Sequence, residues 1–276
     1  MRLVTYAAGE TTRVGVRRDS EIVDSGYASM ADLIEDGARG LERAGAAAEQ
    51  GEPVAGARML APLRPGKILC SGINYASHKE ENPAATMPEE PFFFSKLPSS
   101  VIGPGAAIVI PRESTQTDYE VELAMVVGRT AKQVSEDTAL DHVFGWTILN
   151  DVSARDVQFK DLQITLGKNP DTFAPLGPEI VTRDEVGDWS SLRVSTTLNG
   201  ETMQDAPTAE MLFSPARLIE FLSDLITLEP GDVVTTGTPA GVGCFRDPPV
   251  YLRPGDEITV SVDRIGGLTN PVEAGW

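Results

Sequence analysis

Residues 117–127, TDYEVELAMVV, place two glutamates inside an otherwise apolar strand pattern. Because side chains alternate across a β-strand, Glu120 and Glu122 point to one face, about 7 Å apart along the backbone. Like charges this close repel each other, and burying either carboxylate without a partner favours its protonation. A simple interpretation is that both face solvent. However, Ala124 and Val126 continue the same face as apolar residues, which predicts that the face is partly covered and that a positive group lies between the glutamates.

The composition is that of a folded globular protein with an acidic surface. The chain has 276 residues, enough for one large domain with or without a small appendage. A formal net charge of −18 disfavours nucleic acid and membrane surfaces as partners, but not a local cation or a small acid. No apolar run approaches the ~20 residues that span a membrane, and the first residues lack signal-peptide features. We expect a cytoplasmic protein with Cys70 and Cys244 reduced, a disulfide between them being the alternative.

Turn signals divide the chain into a small N-terminal α/β domain, 1–57, and a larger domain, 58–276. In the N-terminal domain, the pattern predicts strands at 2–6 and 12–17 and a helix at 30–50. The junction, LAPLRPGKIL (60–69), contains two prolines and a Pro-Gly turn. In the larger domain, strands are predicted at 67–71, 91–95, 107–110, 121–127, 145–150, 180–182, 194–198, 232–236 and 257–262. Helices are predicted at 135–142, 152–162 and 214–226, the last with Ser214 as N-cap. This pattern predicts a β-rich α+β fold and disfavours a doubly wound parallel sheet.

Asp151 follows the predicted strand GWTILN, 145–150. It either caps the segment that follows or joins Glu120 and Glu122 as a third carboxylate. Three carboxylates suit a hard divalent cation, which prefers oxygen ligands, and Mg²⁺ commonly keeps open positions for a substrate.

Further candidates lie in loops. His78 and Glu81 are three residues apart and share a face of one helical turn, an arrangement in which the carboxylate raises the basicity of the imidazole. The alternative is a surface histidine beside an acidic run. Lys96 ends the segment FFFSK, and Lys168 lies in the Pro- and Gly-rich loop GKNPDTFAPLGP; a lone lysine is usually a solvated charge. The Gly-rich segment TTGTPAGVG (235–243) can present backbone N–H groups to an anion.

Seven segments together resemble the fumarylacetoacetate hydrolase family over about residues 60–273, in the branch of acylpyruvate hydrolases and 2-hydroxyhepta-2,4-diene-1,7-dioate isomerases. They are GINYASHKEE, PFFFSKLPSS, DYEVELAMVVG, GWTILNDVSARDVQ, GKNPDTFAPLGP, LITLEPGDVVTTGTPAGVG and LRPGDEITVSVDRIGGLTNPV. The resemblance implies a mixed β-sandwich roll, a homodimer, and one Mg²⁺ or Mn²⁺ ion held by Glu120, Glu122 and Asp151.

The resemblance also implies roles for other positions. His78 and Glu81 match the pair that activates water in the family. Positions that contact substrate match Arg155, Gln158, Lys168 and Thr238, and Lys96 matches a further family lysine that we assign to substrate binding. Two departures are Pro170, where an aromatic or other large residue is usual, and Leu97, where proline is frequent.

These residues predict a reaction. A 2-oxo acid chelates the cation, which acts as a Lewis acid, while His78 deprotonates water and Lys168 stabilises the oxyanion. Residues 78–90 suit a mobile lid. We therefore expect hydrolysis of acylpyruvate-type 2,4-dioxo acids, such as fumarylpyruvate, to pyruvate and a carboxylic acid in aromatic catabolism. Alternatives are keto–enol or double-bond isomerisation of hydroxy-dioates and decarboxylation of oxaloacetate. A non-catalytic cation-binding module is a remote alternative, because it needs neither His78 nor Lys168.

Overall fold

The computed structural model describes residues 1–77, 81, 86–160 and 162–275. The strands are β1 (Arg2–Ala8), β2 (Thr11–Arg18), β3 (Glu21–Asp24), β4 (Arg58–Leu60), β5 (Ile68–Ser71), β6 (Phe93–Lys96), β7 (Val101–Ile102), β8 (Ile108–Ile110), β9 (Thr117–Asp118), β10 (Val121–Val127), β11 (Val143–Asn150), β12 (Ser153–Ala154), β13 (Ala174–Thr182), β14 (Arg193–Leu198), β15 (Glu201–Pro207), β16 (Val233–Thr235), β17 (Glu257–Val262) and β18 (Gly266–Ala274). The α-helices are α1 (Met30–Gln50), α2 (Glu136–Ala139), α3 (Arg155–Gln158), α4 (Thr165–Lys168), α5 (Arg183–Val186) and α6 (Pro215–Leu225).

Two mixed sheets form the framework. The larger has the strand order β3-β2-β1-β13-β11-β10-β16-β5-β6, with β4 beside β1 and β7 beside β13. The smaller has the order β15-β14-β17-β18-β8. Most neighbours are antiparallel, but β16 runs parallel to β5, β13 runs parallel to β7 and β18 runs parallel to β8. This arrangement confirms the predicted β-rich α+β fold. In the described part of the chain, no helix has the length and hydropathy needed to cross a membrane.

Strand β10 lies inside the larger sheet and is buried on both faces. Leu123 and Met125 pack into a cluster with α6 and the smaller sheet, whereas Ala124 and Val126 pack into a second cluster with α1. The alternation predicted for this strand is therefore confirmed. Glu120 and Glu122 are also buried, so the interpretation that both face solvent is wrong.

The N-terminal strands extend the larger sheet. β1 pairs with β13 through Leu3 and Ile180, and it also pairs with β4. Glu179, whose side chain is fully buried, accepts hydrogen bonds from Arg2 and Arg17. Strands on both sides of residue 57 belong to this one sheet. The division into two domains at residue 57 stays a prediction.

The predicted helix 30–50 is confirmed, and Ser214 caps α6 by accepting a hydrogen bond from the backbone N–H of Arg217. The predicted helix 152–162 is wrong, because Ser153 and Ala154 pair with β9 and the helix is one turn, α3. The longest strands that were not predicted are β15 and β18, and the short strands β3, β4, β7, β9 and β12 were not predicted either. The Asn199-Gly200 turn that joins β14 to β15 is the hairpin signal that identifies β15.

Shortening a side chain in the centre of β10 tests this packing. Leu123→Ala leaves a cavity in a fully buried cluster, so we expect the free energy of unfolding to fall by about 2–5 kcal/mol in urea denaturation. The matched control is Leu225→Ala, at a side chain that is 82% exposed, for which we expect a change within about 0.5 kcal/mol. Equal losses in the two variants would show that β10 is not the central strand of a packed core.

Candidate active site

Three buried carboxylates converge where β10 and β11 pair. Val121 lies opposite Asn150 in the antiparallel register, which brings Glu120 and Glu122 beside Asp151. The backbone N–H of Asp151 donates to the carbonyl oxygen of Glu120 at 2.9 Å. One carboxylate oxygen from each of the three residues lies within 4.8 Å of the others. Asp151 does not cap the following helix, because Ala154 is the N-cap of α3.

Two buried lysines neutralise part of this acidic cluster. Lys168 Nζ donates to Glu120 Oε2 at 2.9 Å and to Asp151 Oδ2 at 2.6 Å. It also lies 4.8 Å from the centre of the Phe94 ring, a cation–π distance. Lys96 Nζ donates to Asp151 Oδ1 and to the carbonyl oxygens of Val152 and Lys168, which uses all three of its N–H groups. Lys96 therefore supports Asp151 from within the protein, whereas Lys168 keeps one N–H for another partner.

Arg155 connects the cluster to a further buried acid. Its Nε donates to Asp118 Oδ2 at 2.9 Å, its Nη2 donates to Glu120 Oε1 at 2.5 Å, and its Nη1 donates to Gln158 Oε1 at 3.0 Å. Asp118 also accepts backbone N–H groups from Gly243 and Cys244. Asp118 thus holds Arg155 and the end of the Gly-rich segment in place. Sequence analysis missed its role, although Asp118 continues the two-residue alternation of Glu120 and Glu122.

The pKa values show where the charge is not balanced. Burial raises the pKa of Glu120, but Lys168 and Arg155 outweigh burial and bring it below its usual range. Burial lowers the pKa of Lys168, but Asp151 and Glu120 outweigh it and raise this pKa to about 12. Burial, followed by the charges of Asp151 and Glu120, raises the pKa of Glu122 well above its usual range. Glu122 is thus the carboxylate whose negative charge has least compensation.

The three carboxylates fit a divalent cation. Glu122 Oε2 is buried and has no hydrogen-bond partner in the described part of the chain. An oxygen in that state is available as a ligand, and Glu120 and Asp151 supply further carboxylate oxygens beside it. A purely oxygen donor set is the one that Mg²⁺ and Mn²⁺ prefer.

A cavity of about 160 Å³ opens beside the cluster. Its described lining residues are Ser71, Gly72, Ile73, Phe92, Phe94, Glu120, Glu122, Arg155, Gln158, Phe159, Ile164, Lys168, Thr238 and Phe245. A larger cavity, about 660 Å³, lies between α1 and residues 60–66, but Arg64 is the one charged residue among those described in its lining. The smaller cavity is therefore the candidate substrate site.

The predicted residues are placed as follows. Arg155, Gln158, Lys168 and Thr238 line the cavity together with two of the three carboxylates, whereas Lys96 lies behind Asp151. His78 lies outside the described residues, as do most of residues 78–85 in the predicted lid. Glu81 is described, and its Oε1 accepts the backbone N–H of Gly241 at 2.8 Å. Burial raises the pKa of Glu81 to about 7.

Two mitochondrial oxaloacetate tautomerases are among the similar curated proteins. The protein fahd2 of Xenopus laevis is 40% identical over 289 residues, which cover 99% of this chain and 90% of the relative. The human protein FAHD2A is 46% identical over 217 residues, covering 77% of this chain and 68% of the relative.

Solved structures with the same fold include both isomerases and hydrolases. A fumarylacetoacetate hydrolase from Exiguobacterium antarcticum has a TM-score of 0.88 at 37% identity, with full coverage of both chains. A 2-hydroxyhepta-2,4-diene-1,7-dioate isomerase from Mycobacterium marinum has a TM-score of 0.79 at 33% identity, covering 99% of this chain and 98% of its own. A maleylpyruvate hydrolase from Sphingobium sp. SYK-6, in complex with manganese(II) and pyruvate, has a TM-score of 0.84 at 31% identity, with full coverage of both chains.

A family match completes the comparison. Residues 67–273 match the family described as fumarylacetoacetate (FAA) hydrolase C-terminal. The matched range contains every residue of the acidic cluster and of the cavity lining described above. This chain therefore belongs to the fumarylacetoacetate hydrolase family.

Proposed function

We propose that this chain is a cation-dependent enzyme that interconverts the keto and enol forms of oxaloacetate or a similar short 2-oxo dicarboxylate. The observation that carries the proposal is the buried cluster of Glu120, Glu122 and Asp151 beside a cavity of about 160 Å³. Pockets for drug-sized ligands begin at about 300 Å³, so this volume favours a short, compact acid. The oxaloacetate tautomerases that are 40–46% identical to this chain support the same substrate class.

Glu120, Glu122 and Asp151 would hold one Mg²⁺ or Mn²⁺ ion, which supplies Lewis acidity to the 2-oxo group of the substrate. The protein supplies the remaining interactions. Arg155 has N–H groups beyond those bound to Asp118, Glu120 and Gln158, and these suit a substrate carboxylate. Lys168 directs its remaining N–H to an oxygen on which negative charge develops, and its raised pKa keeps it protonated throughout.

Tautomerisation moves one proton between C3 and the 2-oxo oxygen and consumes no other reactant. Glu81 suits the role of base, because a pKa of about 7 leaves it partly ionised at neutral pH. It removes the C3 proton of the keto form while the 2-oxo oxygen takes up a proton from water. In the reverse direction it returns the proton to C3 while water accepts the proton of the enol hydroxyl. The bond from the Gly241 N–H stabilises the ionised carboxylate before it accepts the C3 proton. His78 stays the predicted partner of Glu81.

Hydrolysis of acylpyruvate-type 2,4-dioxo acids is the second candidate. It is favoured by the likeness to a maleylpyruvate hydrolase that binds manganese(II) and pyruvate. Hydrolysis uses the same residues differently, since the base at His78 and Glu81 activates water and Lys168 binds the oxyanion away from the cation. Isomerisation of 2-hydroxyhepta-2,4-diene-1,7-dioate and decarboxylation of oxaloacetate need the same ligands and are further outcomes of the assays below.

The predicted homodimer and cytoplasmic location also stay proposals. Pairing of two chains would cover sheet edges such as β3 and β6, which end the larger sheet. Light scattering at micromolar concentration tests the dimer. The two tautomerases compared above are mitochondrial proteins, so cell fractionation of the source organism tests the location.

The first functional prediction concerns the base. With Mg²⁺ present, the wild-type chain should accelerate ketonisation of enol-oxaloacetate, followed by the ultraviolet absorbance of the enol. The rate should fall as the pH rises through about 7, because in this direction protonated Glu81 delivers the proton to C3 and Glu81 ionises near that pH. Glu81→Gln should lose this pH dependence and lower kcat by about 10²–10⁴-fold, whereas Glu42→Gln on the exposed face of α1 should match wild type. A Glu81→Gln variant with normal kcat and pH profile would rule out Glu81 as the base.

The second prediction separates the candidate reactions. Oxaloacetate is supplied in D₂O and an acylpyruvate in ¹⁸O-labelled water, and products are identified by NMR and mass spectrometry. We expect enol–keto exchange of oxaloacetate, with hydrogen exchange at C3, to exceed cleavage of the acylpyruvate. Faster release of pyruvate and a labelled acid would establish hydrolysis instead, and release of CO₂ as the main event would establish decarboxylation.

The third prediction concerns the cation. Mg²⁺ at one hundred times its Kd should stabilise the folded wild type by about 2.7 kcal/mol and raise its Tm. Asp151→Asn should abolish this shift, because it removes a charged ligand while retaining the side-chain shape. Asp137→Asn, at an exposed position in α2, should keep the full shift. Equal Mg²⁺ affinities for wild type and Asp151→Asn in calorimetry would contradict the ligand assignment.

A further inference from the structure

Gln204 is a buried amide of β15 that reaches from the smaller sheet to the candidate active site. Its Oε1 accepts hydrogen bonds from the backbone N–H of Val121 at 3.1 Å and from Thr196 Oγ1 at 2.8 Å. Its Nε2 donates to Thr238 Oγ1 at 2.8 Å and to the carbonyl oxygen of Pro239 at 3.0 Å. The four partners use both donors and both acceptor positions of the amide.

These partners fix the orientation of the Gln204 amide. A backbone N–H can only donate, so the amide atom beside Val121 must be oxygen. A carbonyl oxygen can only accept, so the atom beside Pro239 must be the NH₂ group. Because this NH₂ group also faces Thr238, the hydroxyl oxygen of Thr238 must accept that hydrogen bond. The proton of the Thr238 hydroxyl is then left to be donated elsewhere.

The position of Thr238 makes this orientation relevant to the site. Thr238 lines the same cavity as Glu120 and Glu122, and Val121 is the residue between those glutamates. The segment that carries Thr238 lies tightly against its neighbours. A Cβ added at Gly237 would come within 2.7 Å of the carbonyl oxygen of Gly72, and one added at Gly241 within 2.2 Å of that of Met203. Both glycines have positive φ.

We propose that Gln204 is a positioning residue that acts through Thr238. Gln204 fixes the position of the Thr238 hydroxyl relative to Glu120 and Glu122. It also directs the proton of the Thr238 hydroxyl toward an oxygen of the 2-oxo acid in the cavity. The inference rests on the proposed function only in taking this cavity as the substrate site. Val121 N–H, the Gln204 amide and the Thr238 hydroxyl then form one directed chain of hydrogen bonds that ends on the ligand.

A double-mutant cycle between Gln204 and Thr238 tests the proposal. Gln204→Met is made in three backgrounds, which are wild type, Thr238→Ser and Thr238→Val. The readouts are the affinity for oxalate in the presence of Mg²⁺, measured by calorimetry, and kcat/KM for oxaloacetate. We expect Gln204→Met to weaken both by roughly tenfold, the worth of one hydrogen bond, wherever position 238 has a hydroxyl. In the Thr238→Val background we expect no further loss.

Controls separate positioning from a general structural effect. Asn270→Met removes another buried amide of the smaller sheet, one that donates to the carbonyl oxygens of Gly103 and Ala106. It should lower the Tm without changing oxalate affinity. If Gln204→Met does not fold, Gln204→Glu replaces it in the same cycle, because it keeps the oxygen that faces Val121 and removes the NH₂ group that faces Thr238.

The outcomes are distinct. Equal losses from the Gln204 substitution with threonine and with valine at position 238 would overturn the proposal, as would no loss with threonine. If oxaloacetate is not turned over, the proposed function fails, but the oxalate affinities still complete the cycle and decide the role of Gln204.

Discussion

Repulsion among buried carboxylates is the constraint around which this protein is built. Asp118, Glu120, Glu122 and Asp151 are almost fully removed from water. Three buried cations, Lys96, Arg155 and Lys168, bind Asp118, Glu120 and Asp151. Removing one partner from such a buried ion pair is strongly destabilising, because it leaves an uncompensated charge. The elements that carry the cations, β6, α3 and α4, are therefore fixed relative to β10 and β11. The sheets and their packed faces hold β10 in place, and the ion pairs determine what surrounds its acidic end.

The charges do not balance without a further cation, and that imbalance explains the chemistry of the cavity. Four carboxylates against three cationic side chains leave one negative charge, and the raised pKa of Glu122 shows that this is the carboxylate whose ionised form is least favoured without a further cation. A divalent ion changes the local sign from negative to positive. With the proposed ion bound, an acidic protein with a net charge of −18 would attract an anionic 2-oxo acid to one small site. Under the proposed function, cation binding and substrate binding would thus be coupled through electrostatics, and the cavity would be selective for acids only when the ion is bound.

Sequence patterns correctly predicted the elements whose structure depends mainly on residues close together in the chain. The alternation of 121–127, the helix 30–50 and the cap at Ser214 follow from side-chain periodicity and capping chemistry, and the structure has them. The convergence of Glu120, Glu122 and Asp151 was predicted from spacing together with the family resemblance. Contacts between distant segments could not be predicted in this way. The local sequence around Lys96 is typical of a solvated charge. Its buried contact with Asp151, 55 residues away in the chain, exists only in the folded structure. No local pattern identified Gln204, because its role depends on the packing of the smaller sheet against β10.

The central claim is that the buried carboxylates are the ligands of one divalent cation. Anomalous X-ray diffraction from crystals grown with Mn²⁺ and oxalate tests it most directly. We predict a single strong anomalous peak among the carboxylate oxygens of Glu120, Glu122 and Asp151, with oxalate beside it in the cavity that Arg155 and Lys168 line. A cluster without an anomalous peak at saturating Mn²⁺, with Lys168 still bonded to both Glu120 and Asp151, would contradict the account.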